Sequence, residues 1–512
     1  MRTSAEKSTN QEAINWVLRF QVSKTTAPHN GPIAASRLLH FVRTAAGIFM
    51  LSAPCAFSAG LPDLVIQGGQ LFDPAAGVMR PVSAILIEGN RIQRVIPEGI
   101  QGEILGKGPL IDARGRFLIP GLIDGHVHLV HVLRDAHITA DEIFPLFLAS
   151  GVTSLRGVGD EVVPQRLLLK HAEEHPESCP RLFLSSPVID RDPPYHQHIS
   201  WPVTNPAQIP EFVDDMIEWG VQTFKIYVGT DRTIGKTVVE EAHRHGKWVT
   251  GHLGRYRAQD AVADGIDSLE HIDSVFEFIL PPEIPPSPTP EERSRMPAAD
   301  LAGLRRRILE GKASVDLGHP RVTELVEALA RHRVAVNPTL VVYRNWMLLR
   351  DLPEVQQHSD LRQVPARLRK SWMESAQRAA FDSETQSLRK RQFAKLQELT
   401  GILNRAGVEL MVGTDSPVQF CPPGLAIHQE LELLVESGLS PAAALKAATL
   451  NNARALNQVE QLGSIEAGKL ADLIVLDANP LADIRNTRKI VKVIRSGVVC
   501  DPVSLMKTVS VH

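Results

Sequence analysis

The chain has 512 residues, 43% hydrophobic and 22% charged, a globular composition in a length too great for one simple core. A formal net charge of -3 gives no electrostatic case for nucleic acid or an anionic membrane surface as partner. Cys55, Cys179, Cys421 and Cys500 lie far apart without paired spacing, which excludes a disulfide framework and a cysteine zinc site.

Residues 1–59 read as a leader. Arg37 and Arg43 precede an uncharged run, residues 44–62, whose apolar centre holds Ile48, Phe49, Met50 and Leu51, and Ala56-Phe57-Ser58-Ala59 follows. Basic, apolar and small residues in that order form a secretory signal, and the apolar part falls short of the ~20 residues a bilayer span needs. The expectation is cleavage near Ser58 or Ala59 and export to the periplasm or beyond. An uncleaved anchor or a disordered tail is the alternative reading. No other stretch of the chain is long and apolar enough to span.

Next come short β-prone runs at 64–66, 84–87 and 92–95, separated by turn signals such as Gly68-Gly69 and Glu88-Gly89-Asn90. A matching set lies at the other end, 471–476 and 490–494, closing on Ser496-Gly497. Strands at both ends of a long middle predict that residues 60–118 and 459–512 pair into one small β domain.

The middle, residues 119–458, alternates strands with helices and belongs to the α/β class. Apolar or β-branched runs fall at 117–123, 152–155, 181–188, 224–228, 248–250, 268–269, 334–336 and 409–412, with helical segments such as 209–219 and 237–245 between them. Eight strands with helical connections predict a (β/α)8 TIM barrel. Two connections are long: 272–333, whose proline-rich part 281–290 is a candidate lid, and 340–406, helical and charged, which reads as a solvated face.

The chemistry begins at Gly121-Leu-Ile-Asp-Gly-His-Val-His128. Residues i and i+2 of a strand share a face, so His126 and His128 present two imidazoles side by side, a start for a divalent metal site. Alone, such a pair is as well explained by a surface loop. Further polar residues stand at the ends of later strands: Lys225 in Phe224-Lys-Ile-Tyr227, His252 after Trp248-Val-Thr-Gly251, His271 closing Asp267-Ser-Leu-Glu-His271, and Asp415 ending Met411-Val-Gly-Thr-Asp415. Each alone reads as a hydrogen-bonded structural residue. Together, at the strand ends where barrel enzymes place their chemistry, they predict one converging site.

With these residues in view, the chain resembles the amidohydrolase superfamily, in its prolidase-like and imidazolonepropionase-like branch. Pro120-Gly-Leu-Ile-Asp-Gly-His-Val-His-Leu129, Gly151-Val-Thr-Ser-Leu-Arg156, Gly413-Thr-Asp-Ser416 and the tail segment Gly463-Ser-Ile-Glu-Ala-Gly-Lys-Leu-Ala-Asp-Leu-Ile-Val475 carry the likeness. The resemblance implies a metal-bearing barrel and a small β-sandwich built from both chain ends. It implies that His126, His128 and Asp415 bind one metal, that His252 and His271 bind a second, and that Lys225 bridges them as a carbamate. Two zinc ions suit this nitrogen and oxygen set, with manganese, iron or cobalt also compatible; an unmodified Lys225 would favour a single ion. Metal-activated hydroxide would attack a carbonyl, with Asp415 as general acid/base.

Substrate contacts are expected from Arg156, His198 and Tyr227, with His196, Arg255 and Tyr343 as further candidates. An arginine at the mouth would hold a free carboxylate, as a dipeptidase needs. Three readings stay open: an amide or dipeptide hydrolase, a cyclic-amide or lactone hydrolase, and a non-catalytic metal-binding barrel. The expected partner is a small molecule or dipeptide, and a homo-oligomer is compatible with the sequence.

Overall fold

The apolar run 117–123, which reads as one strand, is cut in two at Gly121. The computed structural model describes residues 61–100, 106–349, 359–377, 381–418 and 420–509; the expected leader lies outside them. Among the described residues, no helix is long and apolar enough to cross a membrane.

Six strands precede the cut: β1 (Leu64–Gln67), β2 (Gln70–Asp73), β3 (Val78–Glu88), β4 (Arg91–Pro97), β5 (Leu110–Asp112) and β6 (Phe117–Pro120). Nine follow: β7 (Leu122–Val127), β8 (Val152–Gly157), β9 (Arg181–Phe183), β10 (Ser185–Asp190), β11 (Ser200–Pro202), β12 (Thr223–Ile226), β13 (Trp248–Gly251), β14 (Ser268–Glu270) and β15 (Ala335–Asn337). Near the C-terminus lie β16 (Leu473–Leu476), β17 (Ile490–Arg495) and β18 (Val498–Cys500).

At the cut, β6 pairs with β16 while β7 leaves to pair with β8. Gly121 permits the change of partner, because a Cβ there would sit 2.2 Å from Thr153 Oγ1.

Both chain ends therefore enter one nine-stranded sheet, with the order β18-β17-β16-β6-β2-β3-β1-β5 and β4 on β3. Leu64, Ile66, Ile85, Leu118, Leu473 and Ile494, from both ends of the sequence, bury their side chains in one core. This non-local burial, not local propensity, makes such short strands stable. Arg181 ties this sheet to the rest: it pairs with Asp472 and donates 2.7 Å to Ser496 Oγ, while Ser496 N donates 2.6 Å to Asp472.

The middle of the chain forms a curled parallel sheet. β7, β8 and β9 pair in that order, and β11-β10-β12-β13-β14-β15 pair in parallel, with only Leu184 between β9 and β10. The segment 409–416 reaches both edges. Met411 N donates 2.9 Å to Val336 O on one side, and Gly125 N donates 2.8 Å to Val412 O on the other. Residues 409–412, expected as a strand, thus contribute through isolated bridges, and the segment turns out of the extended conformation at Asp415, φ +59.

The connection 272–333 is mostly helical, with helices Asp273–Ile279, Pro290–Arg295, Ala298–Ser314 and Pro320–His332. Thr289 and Glu292 form a reciprocal N-terminal cap that starts the second of them. In the other long connection, helix Ser383–Arg405 is not merely a solvated face. Leu388, Gln392, Phe393, Leu396, Leu399 and Leu403 fall on one helical face and are buried, so its charges occupy the remaining face.

Candidate metal centre

His126 sits fully buried on β7, and His128 follows just past its end. Their Nε2 atoms are 3.3 Å apart, and Asp415 Oδ1 lies 3.4 Å from the first and 3.2 Å from the second. The Asp415 main chain is fixed by its own N–H, which donates 2.8 Å to His126 O. Gly413 makes the approach possible, since a Cβ there would meet His126 Cβ at 2.5 Å.

His271 closes β14 with its ring centroid 4.6 Å from that of His126 and 4.5 Å from that of His252, which follows β13. Ligating atoms of His126, His271 and Asp415 lie within 4.8 Å of one another. Lys225, on β12, is buried and lines the same cavity as His128, His252, His271 and Asp415. All six expected residues are therefore gathered. Two of them, His271 (φ +64) and Asp415 (φ +59), hold left-handed backbone, which costs a non-glycine residue ~1–3 kcal/mol and persists where surrounding contacts enforce it.

Glu270, which sequence reasoning passed over, organises the floor of this cluster. Its Oε2 lies 2.7 Å from His126 Nδ1, and its Oε1 accepts from Arg156 and, at 2.6 Å, from Thr250 Oγ1. Burial opposes a charge on Glu270, but Arg156 and then His126 outweigh it and hold the carboxyl well below its usual range. An ionised Glu270 can only accept, so His126 Nδ1 carries the proton and Nε2 turns its lone pair toward His128 and Asp415. Thr339 Oγ1 lies 2.7 Å from His271 Nδ1 and orients that ring in the same way. Asp124 Oδ1 accepts from the N–H groups of His126 at 3.2 Å and Thr414 at 3.0 Å, joining the two ligand-bearing segments.

The cluster fits divalent cations. Burial lowers the pKa of His126 to about 4 and of His252 to about 3, and that of His271 well below the ordinary value, so these imidazoles are neutral and offer lone pairs. His126 Nε2, His128 Nε2 and Asp415 Oδ1 converge at 3.2–3.4 Å as three ligand atoms that a divalent cation fits. Lys225 Nζ is buried and makes no hydrogen bond, and burial pushes its pKa down to about 8. An amine so placed is the orphaned polar group that a carbamate joining two cations would account for.

The expected substrate residues divide. Tyr227 lines the cavity, its hydroxyl 3.0 Å from His196 Nε2. His198 is exposed and outside the lining, whereas His196, two residues earlier, is in it. Asp190 sets that loop by accepting from Tyr195 N at 2.7 Å, Arg191 N at 2.9 Å and Gly229 N at 3.0 Å. Arg156 is fully buried, donating 2.7 Å to Gly125 O and pairing with Glu270, and does not line the cavity. Arg255 is exposed and outside it, and Tyr343 is part of the wall. His131 was not anticipated: it lines the cavity with Nδ1 2.7 Å from the buried Asp160.

Residues 117–500 match the model of the amidohydrolase family. Adenine deaminase 3 of Rhizobium meliloti (strain 1021) is 34% identical over 94 residues, 18% of this chain and 15% of that protein. The imidazolonepropionase of Geobacillus sp. (strain WCH70) is 39% identical over 77 residues, 14% of this chain and 17% of that protein. The chain thus spans about a sixth of the length of these curated relatives. The crystal structure of a Xaa-Pro dipeptidase with bound methionine superposes with a TM-score of 0.60 at 21% identity, covering 86% of this chain and 99% of that one, a likeness of fold. With a family model matching most of its length and the histidine–aspartate cluster seated within the matched region, the chain belongs to the amidohydrolase family.

Proposed function

We propose that the chain is a metal-dependent hydrolase of carbon–nitrogen bonds in amides or short peptides, working at the cavity above the histidine cluster. The observation that carries this is the meeting of His126, His128 and Asp415 at 3.2–3.4 Å beside a buried, unpartnered Lys225 amine. His126, His128 and Asp415 would hold one divalent ion and His252 and His271 a second, with zinc the natural choice for donors without thiolate. Ions held there supply an acidified water, its pKa lowered toward ~7, and polarise a carbonyl.

The chain's own residues do the rest. Lys225, its pKa lowered by burial to about 8, gives up its proton more readily than a free lysine and is then suited to take up carbon dioxide: the neutral amine nitrogen bonds to the carbon, a proton leaves the nitrogen, and an anionic carbamate results. Asp415 Oδ accepts the proton of the attacking water and returns it to the leaving nitrogen. Tyr227 and His196, paired at 3.0 Å on the cavity wall, offer donors to the substrate.

The residues expected to clamp a carboxylate, Arg156 and Arg255, stand outside the cavity lining. This favours a second reading, hydrolysis of a cyclic amide, over a strict dipeptidase. The fold supports the same picture: we read the curled sheet, bridged by 409–416, as an eight-stranded barrel and the nine-stranded sheet as a β-sandwich made of β1–β6 and β16–β18. We also propose export through the leader, to be checked by fractionating cells that express the full chain.

The test is an activity screen of metal-reconstituted protein on dipeptides, N-acyl amino acids, cyclic amides and lactones, with metal content measured beside it. Turnover that disappears on chelation is the expected result. Protein that binds no divalent ion and turns over none of these compounds would leave only a binding role.

A further inference from the structure

We propose, on the basis of the hydrolase reading above, that the substrate carries a large apolar group next to the scissile bond and that a free carboxylate does not contribute to its recognition. The cavity measures about 350 Å³, room for a molecule of dipeptide size. Beyond the metal-side cluster and the polar group of His131, His196 and Tyr227, its wall is made by Val188, Ile199, Val342, Tyr343, Trp346 and Val418. Such a wall favours an apolar group by removing it from water.

Among the described residues, no arginine lines the cavity, and Lys225 is the one lysine that does. A substrate carboxylate lodged against the apolar side of the cavity would lose its hydration, while the cationic groups of the lining are engaged elsewhere, His131 with Asp160 at 2.7 Å and Lys225 in the metal-side cluster.

Trp346 is built to serve as a fixed wall. It lies in a π-helical turn, Asn345–Leu349, a local departure from the α-helix that is frequent at functional sites. Asn345, buried beside it, donates 2.7 Å to Phe420 O and 3.3 Å to Gln429 Oε1, which pins the turn. The Arg389 guanidinium stands 4.6 Å from the indole centroid and 4.2 Å from the ring of Phe381. A ring held this way loses little freedom when a ligand packs on it.

The test uses three matched amides: N-acetylethylamine, N-acetylphenethylamine, which adds a phenyl ring, and N-acetylphenylalanine, which adds a carboxylate to the second. On the metal-loaded enzyme the ring is expected to raise kcat/KM at least tenfold and the carboxylate to give no gain. Trp346→Ala should abolish most of the ring's advantage, read as the ratio of kcat/KM between the phenethylamine and ethylamine compounds, and Trp346→Phe should retain it. Ile199→Ala, expected to reduce the advantage partway, stands in if Trp346→Ala does not fold. A tenfold preference for the carboxylate compound, or no gain from the ring, overturns the proposal.

Calorimetric binding of the same compounds to metal-free protein separates the two readings. Tighter binding of the phenethylamine compound, weakened in Trp346→Ala, without any turnover would keep the apolar subsite and remove the hydrolase. Turnover without ring preference would do the reverse, and the absence of both overturns the proposal.

Discussion

Glu270 takes His126 Nδ1 at 2.7 Å with one carboxylate oxygen and the Arg156 guanidinium with the other, all three side chains fully buried. One carboxylate thus fixes the tautomer of a metal-binding histidine and neutralises a buried arginine. Glu270→Gln keeps the shape but can no longer hold the Nδ1 proton as strongly or balance the guanidinium. A 10- to 100-fold loss in metal affinity or kcat/KM is expected, the usual order for a group that orients a metal ligand. Metal titration of the folded variant, with melting followed in parallel, checks this. Wild-type affinity and activity together would show that Glu270 serves only Arg156.

Asp415 combines a metal contact with proton transfer. Asp415→Asn retains an oxygen where Oδ1 lies 3.2 Å from His128 Nε2 but removes the base. Most of the bound metal should remain while kcat falls about 10²- to 10⁴-fold. Atomic absorption and steady-state kinetics on the same preparation decide it. Near-normal kcat rules out the proton-transfer role.

Among the described residues Lys225 Nζ has no hydrogen-bonding partner, so truncating the side chain leaves space and breaks no hydrogen bond there. Lys225→Ala should lose the ion held by His252 and His271 and most activity. If the lysine acts as a carbamate, a small carboxylate supplied in solution should occupy the vacated position and restore part of both. The measurement is activity and metal content with and without acetate. Full activity in Lys225→Ala without acetate would assign the lysine no part in the site.

His428 lies buried on helix Leu425–Glu436, its Nδ1 2.9 Å from Thr487 Oγ1, and burial lowers its pKa to about 3 from an ordinary value of 6.5. The unfolded chain therefore binds a proton between pH 6.5 and 3 that the folded chain refuses. Stability is unaffected by this group above pH 6.5, declines as pH falls through that window, and stops declining below about 3. At pH 5 the loss is about 2 kcal/mol, from ~1.4 kcal/mol per pH unit. His428→Gln should melt with less dependence on pH between 7 and 5 than the wild type. An unchanged slope would mean that His428 is not held neutral.

The six clustered residues were legible because each occupies a strand end, where local sequence fixes both position and direction. His126 and His128 required only the two-residue period of a strand, and Asp415 only the end of an apolar run. What remained hidden depends on contacts across the fold. His196 and not His198 lines the cavity in a loop that Asp190, at the end of β10, grips at Tyr195 N while it also accepts from Gly229 N beyond β12, a long-range tie that nothing in Tyr195-His-Gln-His-Ile199 signals. Arg156 reads as a possible substrate clamp because its strand points to the site, but Glu270, distant in sequence, holds it beneath the site. The signal for Glu270 was present in Asp267-Ser-Leu-Glu-His271: a carboxylate inside a buried strand needs a partner there. The division of 117–123 was marked by Pro120-Gly121: before it β6 pairs antiparallel with β16, and after it β7 pairs parallel with β8.

The junction at Asp472 gives a last prediction, one that separates stability from chemistry. Asp472 is nearly buried, pairs with Arg181 at the start of β9, and accepts from Ser496 N at 2.6 Å. Asp472→Ala leaves the Arg181 charge without its counter-ion, held by the Ser496 and Ser154 hydroxyls alone, and removes the acceptor of Ser496 N where water has little access. Removing one member of such a pair costs about 3–5 kcal/mol. The side-chain bonds of this junction run to Ser154 and Ser496 and not to the cluster around His126, so kcat on any accepted substrate should hold within twofold at temperatures where the variant is folded. Thermal melting and initial rates, measured side by side, test both halves. Loss of kcat in the folded variant would mean that the nine-stranded sheet helps to shape the catalytic cavity.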